Sequence, residues 1–584
     1  MKKAGMVILA VLAVGMLEAG SFKSRLVGTV TYDDAPHWRI AARTESAGVG
    51  VETFKVSFAA GEARVPPKTC FTFRFPLKDA VGRWHTEAGL NKNIPPVWGC
   101  GLTGNLAGGT PVVSVFSDTN ENRGLVACSE ALRRVHYAMG VVEETSEIEY
   151  RAVLFSEAEA PLKTYDVEFR LDFRPVFYAD AIRDTFAWYA RMPQYRTGIV
   201  PAAAFDPLYS FWYSYHQNVF AKPVADECAR AVTYGMKTAI LDDGWQTDDH
   251  NRGYAFCGDW NVSTNRFPDF AAHIRSVRER GMKYMIWYSV PFVGVKSANY
   301  KAFKGKYLYV NHGLEAAVLD PRFPDVREFL IGTYEKAMRD WGLDGLKLDF
   351  IDSMQLRGRD PALDDNYAGR DIKSVPLAVD RLMTDVRVRL QAIRPDVLIE
   401  FRQPYIGPAI RKYGNMLRAS DCPMDPLVNR VRTIDLRLTS GEVAVHSDML
   451  EWHPGDTVEG ASKQFWSILF SVPQISVKLA EIPDAHQAKL REMLDFWMAH
   501  RDTLMHGTLR PERPDLNYPV VFAYGKGEQI IAVYDPGQVV VVDRAKGAKV
   551  FVVNATSADG LVVDEGGAVR RVSVPPCSAM ELVR

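Results

Sequence analysis

The sequence predicts an α/β fold: a (β/α)8 TIM barrel flanked by an N-terminal β-sandwich and a small C-terminal antiparallel β-sandwich. From about residue 205, short apolar runs alternate with helical stretches, and eight strand candidates can be counted before residue 480, the pattern of a closed barrel. Residues from about 25 to 180 instead alternate with period two between Gly- and Pro-marked turns, with no long amphipathic helix. Past about residue 508 the helical patterning stops again and short β-rich runs follow one another.

The chain has 584 residues, enough for about three domains, and the changes of rhythm divide it at residues 21–200, 201–507 and 508–584. Residues 1–20 stand apart: Lys2-Lys3 precede the apolar Met6 to Leu17, and the small residues Ala19-Gly20-Ser21 follow. That order is a secretory signal peptide, so a secreted or periplasmic protein is expected, with no membrane contact after cleavage. Apolar content of 47% and charged content of 24% are those of a globular chain. With 70 basic against 71 acidic residues the net charge is -1, which offers nothing to nucleic acid. Seven scattered cysteines show no CxxC pair and no metal-ligand spacing, and oligomeric state cannot be read.

In the first domain Val51-Glu52-Thr53-Phe54-Lys55-Val56-Ser57-Phe58 alternates cleanly, and Ile148 to Phe155 alternates more loosely. The barrel strands are predicted at 208–213, 238–241, 284–288, 343–350, 397–401, 416–419, 442–446 and 474–477. Between them, Val326, Leu330, Tyr334, Ala337 and Trp341 recur at helical spacing, as do Phe270, Ile274 and Val277, and Leu382, Val386 and Leu390. The long charged loop from Met354 to Lys373 follows the fourth strand and is expected to overhang the barrel mouth.

Barrel chemistry sits at the C-terminal ends of the strands. There the first strand delivers Trp212 and Tyr213, the second Asp242, Asp243 and Trp245, and the third Trp287. The fourth delivers Lys347 and Asp349, the fifth Glu400 and Arg402, the sixth Arg418 and Asp421, and the seventh His446 and Asp448. Singly each has a blander reading: a strand-end Asp is often a cap, a lone Trp is often core, and His446 reads as structural. Together, carboxylates and cations that bind hydroxyls, with aromatic faces that pack on a ring, suit a sugar. Glycoside hydrolysis needs two carboxyl groups. Asp349 is the better nucleophile, since Lys347 on the same strand face would pair with its charge, and Asp421 is the better acid/base, with Asp425 its nearest rival.

The motifs resemble the α-galactosidase clan of retaining glycosidases, family 36 most closely. They are Phe211-Trp212-Tyr213, Asp242-Asp243-Gly244-Trp245-Gln246, Gly258-Asp259-Trp260, Gly345-Leu346-Lys347-Leu348-Asp349 and Leu417-Arg418-Ala419-Ser420-Asp421, in the family's order. The resemblance implies that Asp349 forms a covalent glycosyl-enzyme and that Asp421 is the general acid/base. It implies that Asp242 and Asp243 hold the 4- and 6-hydroxyls of a galactose-like ring and that Lys347 binds the 3- and 4-hydroxyls. Arg418 would face the 2-hydroxyl side, and Trp212 and Trp287 would wall the pocket. The partner would be an oligosaccharide or polysaccharide with terminal α-galactosyl residues. No metal and no organic cofactor is implied.

Two departures stand out: Leu348 where larger relatives carry Trp, and Glu400-Phe401-Arg402-Gln403-Pro404-Tyr405 in place of a Cys/Gly-rich segment. They leave open an N-acetylgalactosaminide or a β-L-arabinopyranoside as substrate, and transglycosylation in place of hydrolysis. Trp98 is the candidate for a tryptophan that relatives donate from the N-terminal domain. Two readings from other classes remain: a metal-dependent barrel using Asp349, Glu400 and Asp421, and a non-catalytic sugar-binding protein.

Overall fold

The computed structural model describes residues 20–583 except 88, 250–252 and 403–404. The predicted signal peptide lies outside the described residues apart from Gly20, which opens the strand Gly20–Ser24. Among the described residues no helix is long and apolar enough to cross a membrane.

The N-terminal part is a sandwich of two six-stranded sheets. The long strand Val51–Arg64 lies between Trp38–Gly48 and Leu162–Asp172, antiparallel to both. Its period-two pattern turns Phe54, Val56 and Phe58 inward, where they meet Phe71 and Phe73 of the opposite sheet, with the Phe58 and Phe71 rings edge to face at 6.1 Å.

The barrel follows. Its strands are β1 (Leu208–Ser210), β2 (Thr238–Leu241), β3 (Lys283–Ser289), β4 (Gly345–Asp349), β5 (Leu398–Phe401), β6 (Met416–Arg418), β7 (Ala444–His446) and β8 (Gln474–Ile475). All neighbours run parallel, β8 pairs with β1, and a bridge between His446 and Val472 closes the ring beside β7. The bottom is filled by Leu208, Ile240, Met285, Leu398, Met416 and Ala444, a layer of apolar side chains from successive strands. Gly345 belongs to this layer by register, and any side chain there would strike the Leu398 carbonyl, 2.2 Å from where its Cβ would stand.

Strand alternation explains β4. Leu346 and Leu348 are buried in the core that includes Val326, Leu330 and Tyr334 of the helix Pro324–Trp341, so Lys347 and Asp349 take the opposite face, into the barrel. Leu348 is therefore a packing residue on the helix side, and its departure from the family pattern does not touch the pocket.

Several predicted strands are shorter than the sequence suggests. The first ends at Ser210, and Trp212–Tyr215 is a helical turn. The fourth stops at Asp349 because Phe350 takes a left-handed φ of 62°, and the seventh starts at Ala444. The connection after β3 holds a small antiparallel sheet of Phe292–Gly294, Tyr307–Asn311 and Ala316–Leu319, which the sequence pattern did not reveal. The charged loop after β4 is pinned by a buried network. Arg322 donates to both Asp320 and Asp360, and Arg370 to Asp320 and Asp365.

The C-terminal part packs a five-stranded against a three-stranded sheet. The antiparallel expectation gives way at two pairs: Glu528–Val533 runs parallel to Lys549–Asn554, and Val539–Val542 parallel to Leu561–Glu565. All three parts meet at Asp435, on the barrel helix Pro426–Thr439. Its carboxylate is 0% exposed. It accepts hydrogen bonds from Trp84 Nε1 at 2.8 Å and Lys92 Nζ at 2.7 Å in the N-terminal sandwich, and from the Tyr518 hydroxyl at 2.5 Å in the C-terminal one.

Candidate functional site

Trp212, Asp242, Asp243, Trp287, Lys347, Asp349, Arg418 and Asp421 line one pocket at the C-terminal ends of the barrel strands, together with Tyr254 and Arg402. All but Tyr254 come from a strand's C-terminal part or from the first residues beyond it, the position that a parallel barrel exposes to ligand.

At one end of the pocket β2 supplies two carboxylates. Lys347 Nζ donates to Asp242 Oδ2 at 2.5 Å. Asp243 accepts from Gln246 Nε2 at 2.6 Å and Gln217 Nε2 at 2.7 Å. Burial raises the Asp243 pKa to about 6 against those two hydrogen bonds. The chain turns away at Gly244, whose φ is 115° and whose Cβ would lie 2.6 Å from the Gln217 backbone, so only glycine fits there.

At the other end stand Asp349 and Asp421. Asp349 accepts from the Phe350 amide at 2.6 Å, Trp287 Nε1 at 3.0 Å and Arg402 Nε at 2.7 Å. The cation beside Asp349 is thus Arg402, whereas Lys347, the partner the sequence suggests, is engaged with Asp242. Arg402 also reaches Asp421, Nη1 to Oδ2 at 3.1 Å, so one guanidinium joins the two acids. Asp421 accepts from Arg418 Nη2 at 2.7 Å as well. Burial works to raise the Asp421 pKa, but Arg418, Arg402 and Lys347 outweigh it and hold the carboxyl well below its ordinary range. Arg418 is fully enclosed and also paired with Asp448.

Three predicted site residues lie outside the pocket lining. Trp245 is 0% exposed. Its ring stacks on Phe270 at 5.9 Å, packs against Trp260 and Trp341, and donates Nε1–H to the Trp287 carbonyl at 3.1 Å. It is a core residue supporting Trp287. Glu400 lies beneath the floor, accepting from Gln474 Nε2 at 2.5 Å with Arg418 Nε 4.0 Å away, and burial raises its pKa. Tyr213 donates its hydroxyl to Asp448 Oδ2 at 2.9 Å and so braces the carboxylate that holds Arg418. Trp98 is 76% exposed on the turn Val97–Gly99, away from the pocket. His446 donates Nε2–H to the Ala204 carbonyl at the barrel bottom at 2.8 Å.

Two lining residues carry weaker sequence signals. Arg402 stands at a strand end, but its place between the two acids depends on the side chain's reach. Tyr254 lies in the long loop after β2, and its ring stacks 6.1 Å from Trp287. No period or motif picks it out. For the metal reading, Arg402 stands between Asp349 and Asp421, and Arg418 lies between Glu400 and Asp421. Among the described residues no three His, Cys, Asp or Glu side chains converge as metal ligands.

Residues 210–400 match the Melibiase family model. The matched span covers the barrel from the end of β1 into β5. Among curated proteins, the chain is similar to an A type blood α-D-galactosamine galactosaminidase of Flavonifractor plautii, 23% identical over 175 residues, 27% of this chain and 15% of that protein. It is also similar to the α-galactosidase Mel36A of Lactobacillus acidophilus, 31% identical over 84 residues, 14% of this chain and 11% of that protein. The chain thus matches less than a fifth of the length of these curated relatives. The family 36 α-galactosidase AgaA of Geobacillus stearothermophilus has the same fold, with a TM-score of 0.64 at 14% identity over 95% of this chain and 81% of that one. Of the ten pocket residues, the seven from Trp212 to Asp349 fall inside the matched span, and Arg402, Arg418 and Asp421 lie beyond its end.

Proposed function

We propose that this protein is a retaining exo-glycoside hydrolase that releases terminal α-linked galactose by double displacement. Asp349 is the nucleophile and Asp421 the general acid/base, and the protein acts in a secreted or periplasmic compartment. One observation carries the reading. Two carboxylates from β4 and just beyond β6 are joined by a single guanidinium at the end of a pocket whose other end offers Asp242, Asp243 and Lys347. That is a pair of acids within reach of one anomeric carbon, with acceptors and a donor placed for ring hydroxyls.

In the first step Asp349 forms a bond to the anomeric carbon as Asp421 gives its proton to the departing oxygen. In the second, water attacks from the vacated side and returns a proton to Asp421. Trp287 Nε1 and the Phe350 amide fix the rotamer of Asp349, and Trp212 and Trp287 provide apolar faces for the ring. The likeness to family 36 enzymes supports the sugar. An AgaA variant has been crystallised with raffinose, which ends in an α-galactosyl residue.

The test is turnover of aryl α-galactosides. Asp349→Asn is expected to abolish it, with azide restoring turnover as β-galactosyl azide. Asp421→Asn is expected to slow poor leaving groups by about 10²–10⁴-fold and to yield α-galactosyl azide. Wild-type activity in Asp349→Asn removes this mechanism. The same panel with an N-acetyl group at C2 decides between galactoside and galactosaminide, the activity named for the Flavonifractor relative.

A further inference from the structure

A general acid must carry a proton, yet the residues around Asp421 are arranged to keep one off it. Arg418 holds it from β6 itself, Arg402 from beyond β5, and Lys347 adds its charge from β4. Asp448, from beyond β7, faces the same cluster through Arg418, and Tyr213 joins it through Asp448. Arg432, on the helix Pro426–Thr439, donates to the Asp421 backbone carbonyl at 2.8 Å. Of these groups only Arg402 is shared between the two catalytic acids.

The pocket is also narrow: its cavity is about 50 Å³, room for about four waters at about 10–15 Å³ each. The groups that line it differ in how firmly they are held. Lys347 is tied to Asp242 at 2.5 Å, Arg418 to Asp448 and Asp421, and Trp287 is buried on Asp349. Arg402 is the lining group with a long side chain and the least symmetrical hold. It sits 2.7 Å from Asp349, whose side chain is 5% exposed, but 3.1 Å from Asp421, whose side chain is 40% exposed. The longer, wetter contact is the weaker one. The Phe350 ring lies 4.9 Å from the guanidinium and gives it a face to lean on as it turns.

We propose that Arg402 is a positioning residue with two bonding states: in one it bridges Asp349 and Asp421, as the structure shows, and in the other, taken up when a sugar binds, it releases Asp421 while keeping Asp349. This rests on the glycosidase reading above. With one guanidinium withdrawn, Asp421 takes a proton from solvent through its exposed edge. That proton passes to the glycosidic oxygen as the bond to the anomeric carbon breaks and the Asp349 ester forms. The leaving group departs as a neutral alcohol, and the water that cleaves the ester restores the proton to Asp421.

The inference is tested by comparing the pH profiles of kcat/KM, which reports the free enzyme, and of kcat, which reports the complex. In the wild type the basic limb of kcat/KM is expected at lower pH than that of kcat. In Arg402→Met the kcat/KM limb is expected to rise by about one pH unit or more, towards a kcat limb that stays in place. Arg402→Lys, which keeps the charge but not the bridge, is expected to fall between, and serves if the Met variant folds poorly. Coincident limbs in the wild type, or equal shifts of both limbs in the variants, overturn the proposal and leave the glycosidase reading standing. A wild-type protein without turnover of any aryl glycoside removes both.

Discussion

Lys347 Nζ meets Asp242 Oδ2 at 2.5 Å across the barrel mouth, joining β4 to β2 over the intervening β3. Both side chains are almost fully buried. Such a pair is costly to break from one side, because the remaining charge is left without a partner. Lys347→Met is therefore expected to cost about 3–5 kcal/mol of stability. It should also lower kcat/KM by about tenfold to a hundredfold through the lost charged hydrogen bond. The double variant Lys347→Met/Asp242→Leu should regain much of the stability and none of the activity. Thermal melts and aryl galactoside kinetics on the three proteins check this, and activity retained in the double variant would show that neither residue touches the sugar.

Asp352, three residues past Asp349, should leave a mark on stability. Burial first, and then the charge of Asp349, raise its pKa from 3.8 to about 6. An acid whose pKa is higher in the folded state keeps its proton there after the unfolded chain has lost it, so stability falls as pH rises from about 4 to about 6. Asp352→Asn cannot ionise, and its melting temperature should gain on the wild type across that interval and run parallel above it. Parallel curves from pH 4 upward would mean that Asp352 has no such shift.

Trp245 separates core from site. Trp245→Phe loses the hydrogen bond to the Trp287 carbonyl and part of the stacked contact, and should lower the melting temperature while leaving KM within about twofold. Trp245→Ala should cost about 3–5 kcal/mol. A tenfold rise in KM for Trp245→Phe at unchanged stability would restore Trp245 to the sugar site.

The barrel was legible because its signals are local: apolar runs of strand length, helical spacing between them, and charges at the strand ends. Depth was not legible. Glu400 and Asp349 both stand at acidic strand ends, but the stagger between neighbouring strands puts Glu400 below the floor and Asp349 on the pocket wall. Partner choice was not legible either. Lys347 and Asp349 share a strand face, yet the lysine reaches across to β2 and leaves Asp349 to Arg402, a choice set by side-chain length and barrel curvature. Trp245 follows two catalytic-looking acids in sequence, but the turn at Gly244 sends its ring into the helix layer. In the C-terminal sandwich the apolar runs at 520–524, 530–534, 539–542 and 550–553 mark four of the eight strands, but not Thr508–Pro511, Leu561–Glu565, Ala568–Val572 or Ser578–Glu581, and not the strand directions, since pairing order is decided by contacts distant in sequence.

The carboxylate of Asp435 ties the fate of the two flanking sandwiches to that of the barrel. Its partners come from both sandwiches, so a fragment encoding only the barrel would lose Trp84, Lys92 and Tyr518 together and open Asp435 to water. The barrel on its own would thus present, as new surface, a helix face that the whole chain keeps covered.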